Sequence, residues 1–237
     1  MKKITMALLG ISIGITVEAT PFTDTFERAD GGLGTDWTTV WGNPQIITGT
    51  VNMASTAASG LANLGTVGLV ITEAQTLDTN FTVQIDLIAN GGSPAAAGLI
   101  MNYTATNSFY VFRMLSDGNL QFGKIADGTT VNYGFSPAGT EFSFLSSGEY
   151  RLIVESSTPG TFDFSISTLS GGIATLVYSN SWTDGGTALS GGYSGFYLNG
   201  GSTPRFDNFS VVPEPGSVSL IVLSAGILFI ARKKFLK

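Results

Sequence analysis

From residue 81 onward the chain repeats one small pattern. Phe81, Val83, Ile85 and Leu87 alternate with Thr82, Gln84 and Asp86. Tyr110, Phe112 and Met114 alternate with Val111 and Arg113, and Tyr150, Leu152 and Val154 with Arg151, Ile153 and Glu155. Phe162, Phe164 and Ile166 alternate with Thr161, Asp163 and Ser165. A period of two places one set on each side of a pleated strand. Between the runs stand Ser116-Asp117-Gly118-Asn119, Ala126-Asp127-Gly128, Thr158-Pro159-Gly160 and Ser170-Gly171-Gly172. These residues supply positive φ or a preset bend, so they predict tight turns. The spacing predicts about ten strands or more. Aromatic and β-branched residues on one face, with small polar ones on the other, suit two antiparallel sheets packed face to face. The prediction is an all-β, two-sheet jelly-roll sandwich. No repeat of fixed period points to a solenoid or propeller.

The two ends break this pattern. Lys2 and Lys3 precede an apolar stretch from Ile4 to Val17, and Val17 and Ala19 are small residues at the positions an export peptidase reads. Residues 1–19 are therefore expected to be a signal peptide, handed to the export translocon as a helix. At the other end Gly216 to Ala231 carries no charge. As a helix it would reach about 24 Å, against a hydrocarbon core of about 30 Å. Arg232 and Lys233 can snorkel to cover the difference. A transmembrane helix over 216–231, a basic tail over 232–237 and a basic start put both ends on the cytoplasmic side. The body, residues 20–211, is then expected outside the cytoplasmic membrane.

The order Pro213-Glu214-Pro215-Gly216, apolar stretch, then Arg232-Lys233-Lys234 resembles the PEP-CTERM sorting domain of exported bacterial proteins. The resemblance covers residues 212–237. It implies that an exosortase-type enzyme in the membrane recognises the tail and removes it, leaving the mature chain at the cell surface or beyond. The other reading of the same residues is a permanent anchor behind a stiff Pro-Glu-Pro linker.

Composition narrows the chemistry. Among 237 residues there is no Cys and no His. That excludes disulfides, thiol nucleophiles, and the usual base and transition-metal ligand at neutral pH. From Pro21 to Val212 there are 15 acidic and 5 basic residues. So few cations argue against a nucleic-acid partner.

Four stretches of the body, Phe22–Gly42, Phe109–Thr129, Glu149–Ser167 and Ser190–Val211, resemble in their order the concanavalin A-like lectin and glucanase jelly rolls, laminin-G-like modules included. The resemblance implies a polysaccharide or sugar partner. Laminarinase-like members carry Glu-x-Asp-x-x-Glu on one strand. This chain has no such motif, and cleavage of a glycosidic bond needs two carboxyl groups.

Three candidate sites follow. Asp24 lies at period two from Phe22 and Phe26, and Asp207 at period two from Phe209 and Val211, so both are expected on the apolar side of a terminal strand. If the first and last strands are neighbours, as is common in such jelly rolls, the two carboxylates would hold a structural Ca²⁺ with backbone carbonyls. The alternative is that each accepts local backbone N–H bonds. Trp182, among Ser, Asn, Thr, Asp and Gly, is expected to be exposed and is the candidate sugar platform, with core packing as the alternative. Asp30-Gly31-Gly32-Leu33-Gly34 lacks the context of a phosphate loop and reads as a wide turn. Three functions remain: a non-catalytic surface or matrix protein associated with polysaccharide, a lectin with a defined sugar site, and a secreted glycan hydrolase. The missing carboxylate strand weighs against the third.

Overall fold

The computed structural model describes residues 20–47, 49–54, 67–77, 80–89, 96–115, 119–136, 147–199 and 204–213. Every regular element there is a strand, and no helix among the described residues is long and apolar enough to cross a membrane. The strands are β1 (Phe22–Asp24), β2 (Trp37–Trp41), β3 (Asn43–Ile47), β4 (Thr50–Ala54), β5 (Val67–Thr72), β6 (Phe81–Ile88), β7 (Ala96–Ala105), β8 (Ser108–Leu115), β9 (Leu120–Ala126), β10 (Thr129–Ser136), β11 (Glu149–Thr158), β12 (Thr161–Ser170), β13 (Ile173–Thr183), β14 (Tyr193–Asn199) and β15 (Arg205–Pro213). They lie within one unit, Thr20–Glu214.

The turns come where their residues demand. Asp127 and Gly128, at φ 49° and 74°, make the two-residue link from β9 to β10. Pro159 presets the bend and Gly160, at φ 75°, completes it between β11 and β12. Gly171 and Gly172, both at positive φ, join β12 to β13. In the Asp127-Gly128 and Gly171-Gly172 links, positive φ at both central residues matches the twist of the flanking strands and closes the hairpin without splaying it.

Two antiparallel sheets result. The larger runs β13-β12-β11-β6-β15-β4-β3, with β1 also paired to β15; the smaller runs β10-β9-β8-β7-β14-β5-β2. The fold is the all-β jelly-roll sandwich that the alternation predicts. The larger sheet turns Phe81, Val83, Ile85, Leu87, Tyr150, Leu152, Val154 and Phe162 inward, against Leu99, Tyr110, Phe112, Phe122 and Phe196 of the smaller one. Burying side chains of this size contributes about 1.5–3 kcal/mol each. The smaller sheet departs from simple alternation. Phe109 and Val111, one residue out of step with Tyr110 and Phe112, are also buried, in a second cluster with Leu69, Ile71, Ile100 and Tyr197. The last strand continues to Pro213, which pairs with Phe81, two residues beyond the end expected for the body.

Candidate functional site

The terminal strands β1 and β15 are neighbours, Phe22 facing Val211 and Asp24 facing Phe209. Asp24 thus stays on the inner side, at the rim of the core. The Trp37 indole donates to its Oδ2 at 2.7 Å, the Phe26 amide to its Oδ1 at 2.8 Å, and the Arg28 guanidinium to both oxygens at 2.7 and 3.0 Å. Burial pushes Asp24 upward, but Arg28, Trp37 and the Phe26 amide outweigh it and hold the carboxyl below its ordinary range.

Asp207 faces the other way. A bulge between Asp207 and Ser210, with Asn208 at φ 49°, inserts one residue into β15. Phe206 and Phe209 therefore both point inward, and Asp207 faces Asp86 on the outer side. The period-two expectation that Asp207 shares the face of Phe209 and Val211 fails for this reason. Asp86 is held by the Arg151 guanidinium at 2.7 and 2.8 Å and by Asn208 Nδ2 at 3.0 Å. Burial first, then the charges of Asp86, Glu27 and Asp24, raise Asp207 to about 6, against a lowering by the Asn208 amide. The two aspartates are not brought together on one face. Among the described residues no three acidic side chains gather to hold a metal ion. N–H donors occupy both oxygens of Asp24, so a Ca²⁺ there would have to displace Arg28, and the residues fit the ion poorly.

Trp182 is half-buried rather than exposed. It pairs in register with Phe162 on the inner side of β13, and its ring lies 5.0 Å from Phe122 and 6.2 Å from Phe162. The flanking Ser181 and Thr183 misled here because they occupy the outer positions of the same strand. Beside it is a buried charge pair that sequence reading missed. Lys124 Nζ donates to Asp184 Oδ2 at 2.5 Å and to the Thr187 carbonyl at 2.8 Å. Tyr110 donates its hydroxyl proton to the same carboxylate at 2.8 Å and accepts the Leu189 amide. This set clamps the segment after β13 onto the core. Asp30–Gly34 makes the wide turn, Gly31 bridging Ile46 and Leu33 buried beneath it.

The outer face of the larger sheet is polar. Register places Ser179, Ser165, Ile153 and Gln84 in one row across β13, β12, β11 and β6, and Ser181, Asp163, Glu155 and Thr82 in the next. Within a row neighbouring side chains stand about 4.8 Å apart, the spacing of the strands. Over β11–β13 these side chains line a groove of about 400 Å³. Glu155 and Asp163 sit directly opposite each other, and Ser181 donates its hydroxyl proton to Asp163. This carboxylate pair is drawn from two strands, so inspection of single strands could not find it.

No protein-family model matches the chain, and no curated protein matches it. Solved structures do. The carbohydrate-binding module CBM66 from Bacillus subtilis superposes with a TM-score of 0.51 at 17% identity, over 74% of this chain and 95% of that one. A lectin from Bauhinia forficata, in complex with GalNAc, does so at 0.53 and 13% identity, over 81% and 96%. The GH43 protein BlXynB from Bacillus licheniformis matches at 0.52 and 16% identity, over 81% of this chain but 39% of that protein. At such identity what is shared is the fold: this chain has the jelly roll of lectins and carbohydrate-binding modules. Of the residues expected to form a sorting motif, Pro213 lies in β15; Glu214, Pro215, Gly216, Arg232, Lys233, Lys234 and the expected signal stretch 1–19 fall outside the described residues.

Proposed function

We propose that this chain is a non-catalytic carbohydrate-binding protein of the bacterial envelope, exported by its N-terminal signal and sorted by its PEP-CTERM tail. The observation that carries the binding reading is the groove on the outer face of β11, β12 and β13, where Glu155, Asp163 and three serines stand on an open sheet face. Hydroxyls and carboxylates in rows offer a polyol both donors and acceptors, and the side chain of Ile153 offers its ring carbons an apolar contact. The same fold carries sugar sites in unrelated proteins, which supports this reading only by analogy. Binding of the full-length chain to an array of neutral, amino and acidic glycans tests it. Specific capture of one class, lost when Ser165 and Ser179 are both replaced by Leu, is the expected result; a blank array ends the reading.

A hydrolase is the second reading, favoured by the facing Glu155 and Asp163. Both stand on one open floor, whereas glycosidic cleavage places its carboxyl groups on either side of the scissile bond. Release of reducing ends from polysaccharide by the purified chain would overturn the non-catalytic assignment.

A further inference from the structure

The groove has a sign as well as a shape. Glu155 and Asp163 face each other across the β11–β12 ladder, and neither Lys nor Arg is among the residues that line it. The cation nearest in sequence, Arg151, lies on the same strand, and its guanidinium is committed to Asp86 at 2.7 and 2.8 Å. Asp163 receives the Ser181 hydroxyl. Glu155 has no hydrogen-bond or ion-pair partner among the described residues. Directly opposed like charges repel, and two carboxylates side by side would repel a uronate or a sulfated sugar as well.

We propose that the groove selects glycans bearing protonated amino groups, such as runs of hexosamine without N-acetyl groups. This inference rests on the sugar-binding reading and adds the class of sugar. An ammonium placed between Glu155 and Asp163 makes charge-assisted hydrogen bonds to both and relieves their repulsion. Ser165, Ser179 and Ser181 remain for the ring hydroxyls. An N-acetyl group removes the charge and adds bulk at the same position.

The test is calorimetric titration of the full-length chain with four probes: a glucosamine tetramer, an N-acetylglucosamine tetramer, a galacturonate tetramer and tetralysine. At low salt the glucosamine tetramer should bind at least about tenfold more tightly than its N-acetylated form, the effect of about 1.4 kcal/mol from one or two such bonds. Glu155→Gln, which breaks no bond among the described residues, should reduce that preference, and Glu155→Gln with Asp163→Asn should erase it without lowering the melting temperature. Equal binding of the amino and N-acetyl tetramers, or preference for the uronate, overturns this inference and leaves sugar binding standing. Tetralysine bound as tightly as the glucosamine tetramer reduces the groove to a patch of charge and overturns it too. Failure of every sugar probe overturns this inference, and the glycan array, which also holds neutral sugars, then decides whether sugar binding stands.

Discussion

Asp207→Asn should stabilise this protein at neutral pH. The reason is the bulge at Asn208, which turns Asp207 toward Asp86 on the outer face. Burial and the neighbouring carboxylates raise Asp207 from its ordinary 3.8 to about 6. In a dry site a displacement of that size corresponds to about 3 kcal/mol. Asp207 is only partly buried, so solvent screening reduces it to about 1–1.5 kcal/mol. The sign follows from proton uptake. Between pH 3.8 and about 6 the folded state holds the proton more tightly than the unfolded chain. The contribution to stability is therefore complete below pH 3.8 and is lost as pH rises through about 6. At pH 7.5 the wild-type chain carries the whole penalty; Asn carries none, and its side-chain oxygen can still accept the Asn208 amide. The variant should then melt about 2–6 °C higher at pH 7.5, taking about 2–4 °C per kcal/mol at this size. The gain should shrink to nothing near pH 4. Thermal denaturation of both chains across that range, with and without calcium and chelator, measures it. A variant that melts lower at neutral pH, with a loss present only in calcium, would refute the reasoning and restore a metal at Asp24 and Asp207.

Other outcomes can be checked as directly. Lys124→Met leaves the Asp184 carboxylate buried without its cation, and urea unfolding should show a loss of about 3–5 kcal/mol, partly recovered by adding Asp184→Asn. Gly98→Ala should cost about 1–3 kcal/mol by the same assay, since a Cβ at Gly98 would meet the Phe112 carbonyl at 1.9 Å. Protease added to spheroplasts should digest the β-sandwich if the body is translocated; protection of it would refute the proposed export. Mass spectrometry of envelope protein should find mature chains ending near Pro213–Gly216, and Glu214→Ala should block that trimming; abundant chains with an intact tail would make the tail a permanent anchor.

Much of the fold was legible in the sequence because its signals are local. The four alternating runs became β6, β8, β11 and β12, and Asp127-Gly128, Pro159-Gly160 and Gly171-Gly172 became hairpin turns. What escaped depends on single inserted residues and on partners far along the chain. Asn208 in the left-handed region flips the face of Asp207, and no period-two reading contains that flip. Counting back from the Pro159-Gly160 turn pairs Glu155 with Phe164; one irregularity between Glu155 and Thr158 moves it to Asp163 and creates the carboxylate pair. Val111 lies on the face of β8 opposite Tyr110 and Phe112, and local alternation does not contain the second apolar cluster that buries it there. Lys124 in the core could be anticipated only by knowing that Asp184, sixty residues later, returns to it.

The position of β15 has a mechanical consequence. It lies between β6 on one side and β1 and β4 on the other, and the chain leaves it at Pro213, opposite Phe81. A pull on the leaving end, with the sandwich held, runs along the strand axis. It loads the rungs to β6 all at once, in shear. A pull between the two ends of the body acts otherwise. Phe22 and Val211 are partners on one rung, so tension there peels β1 away one pair at a time. Under tension this sandwich therefore resists a pull on its C-terminal end and yields first at β1 when drawn from both.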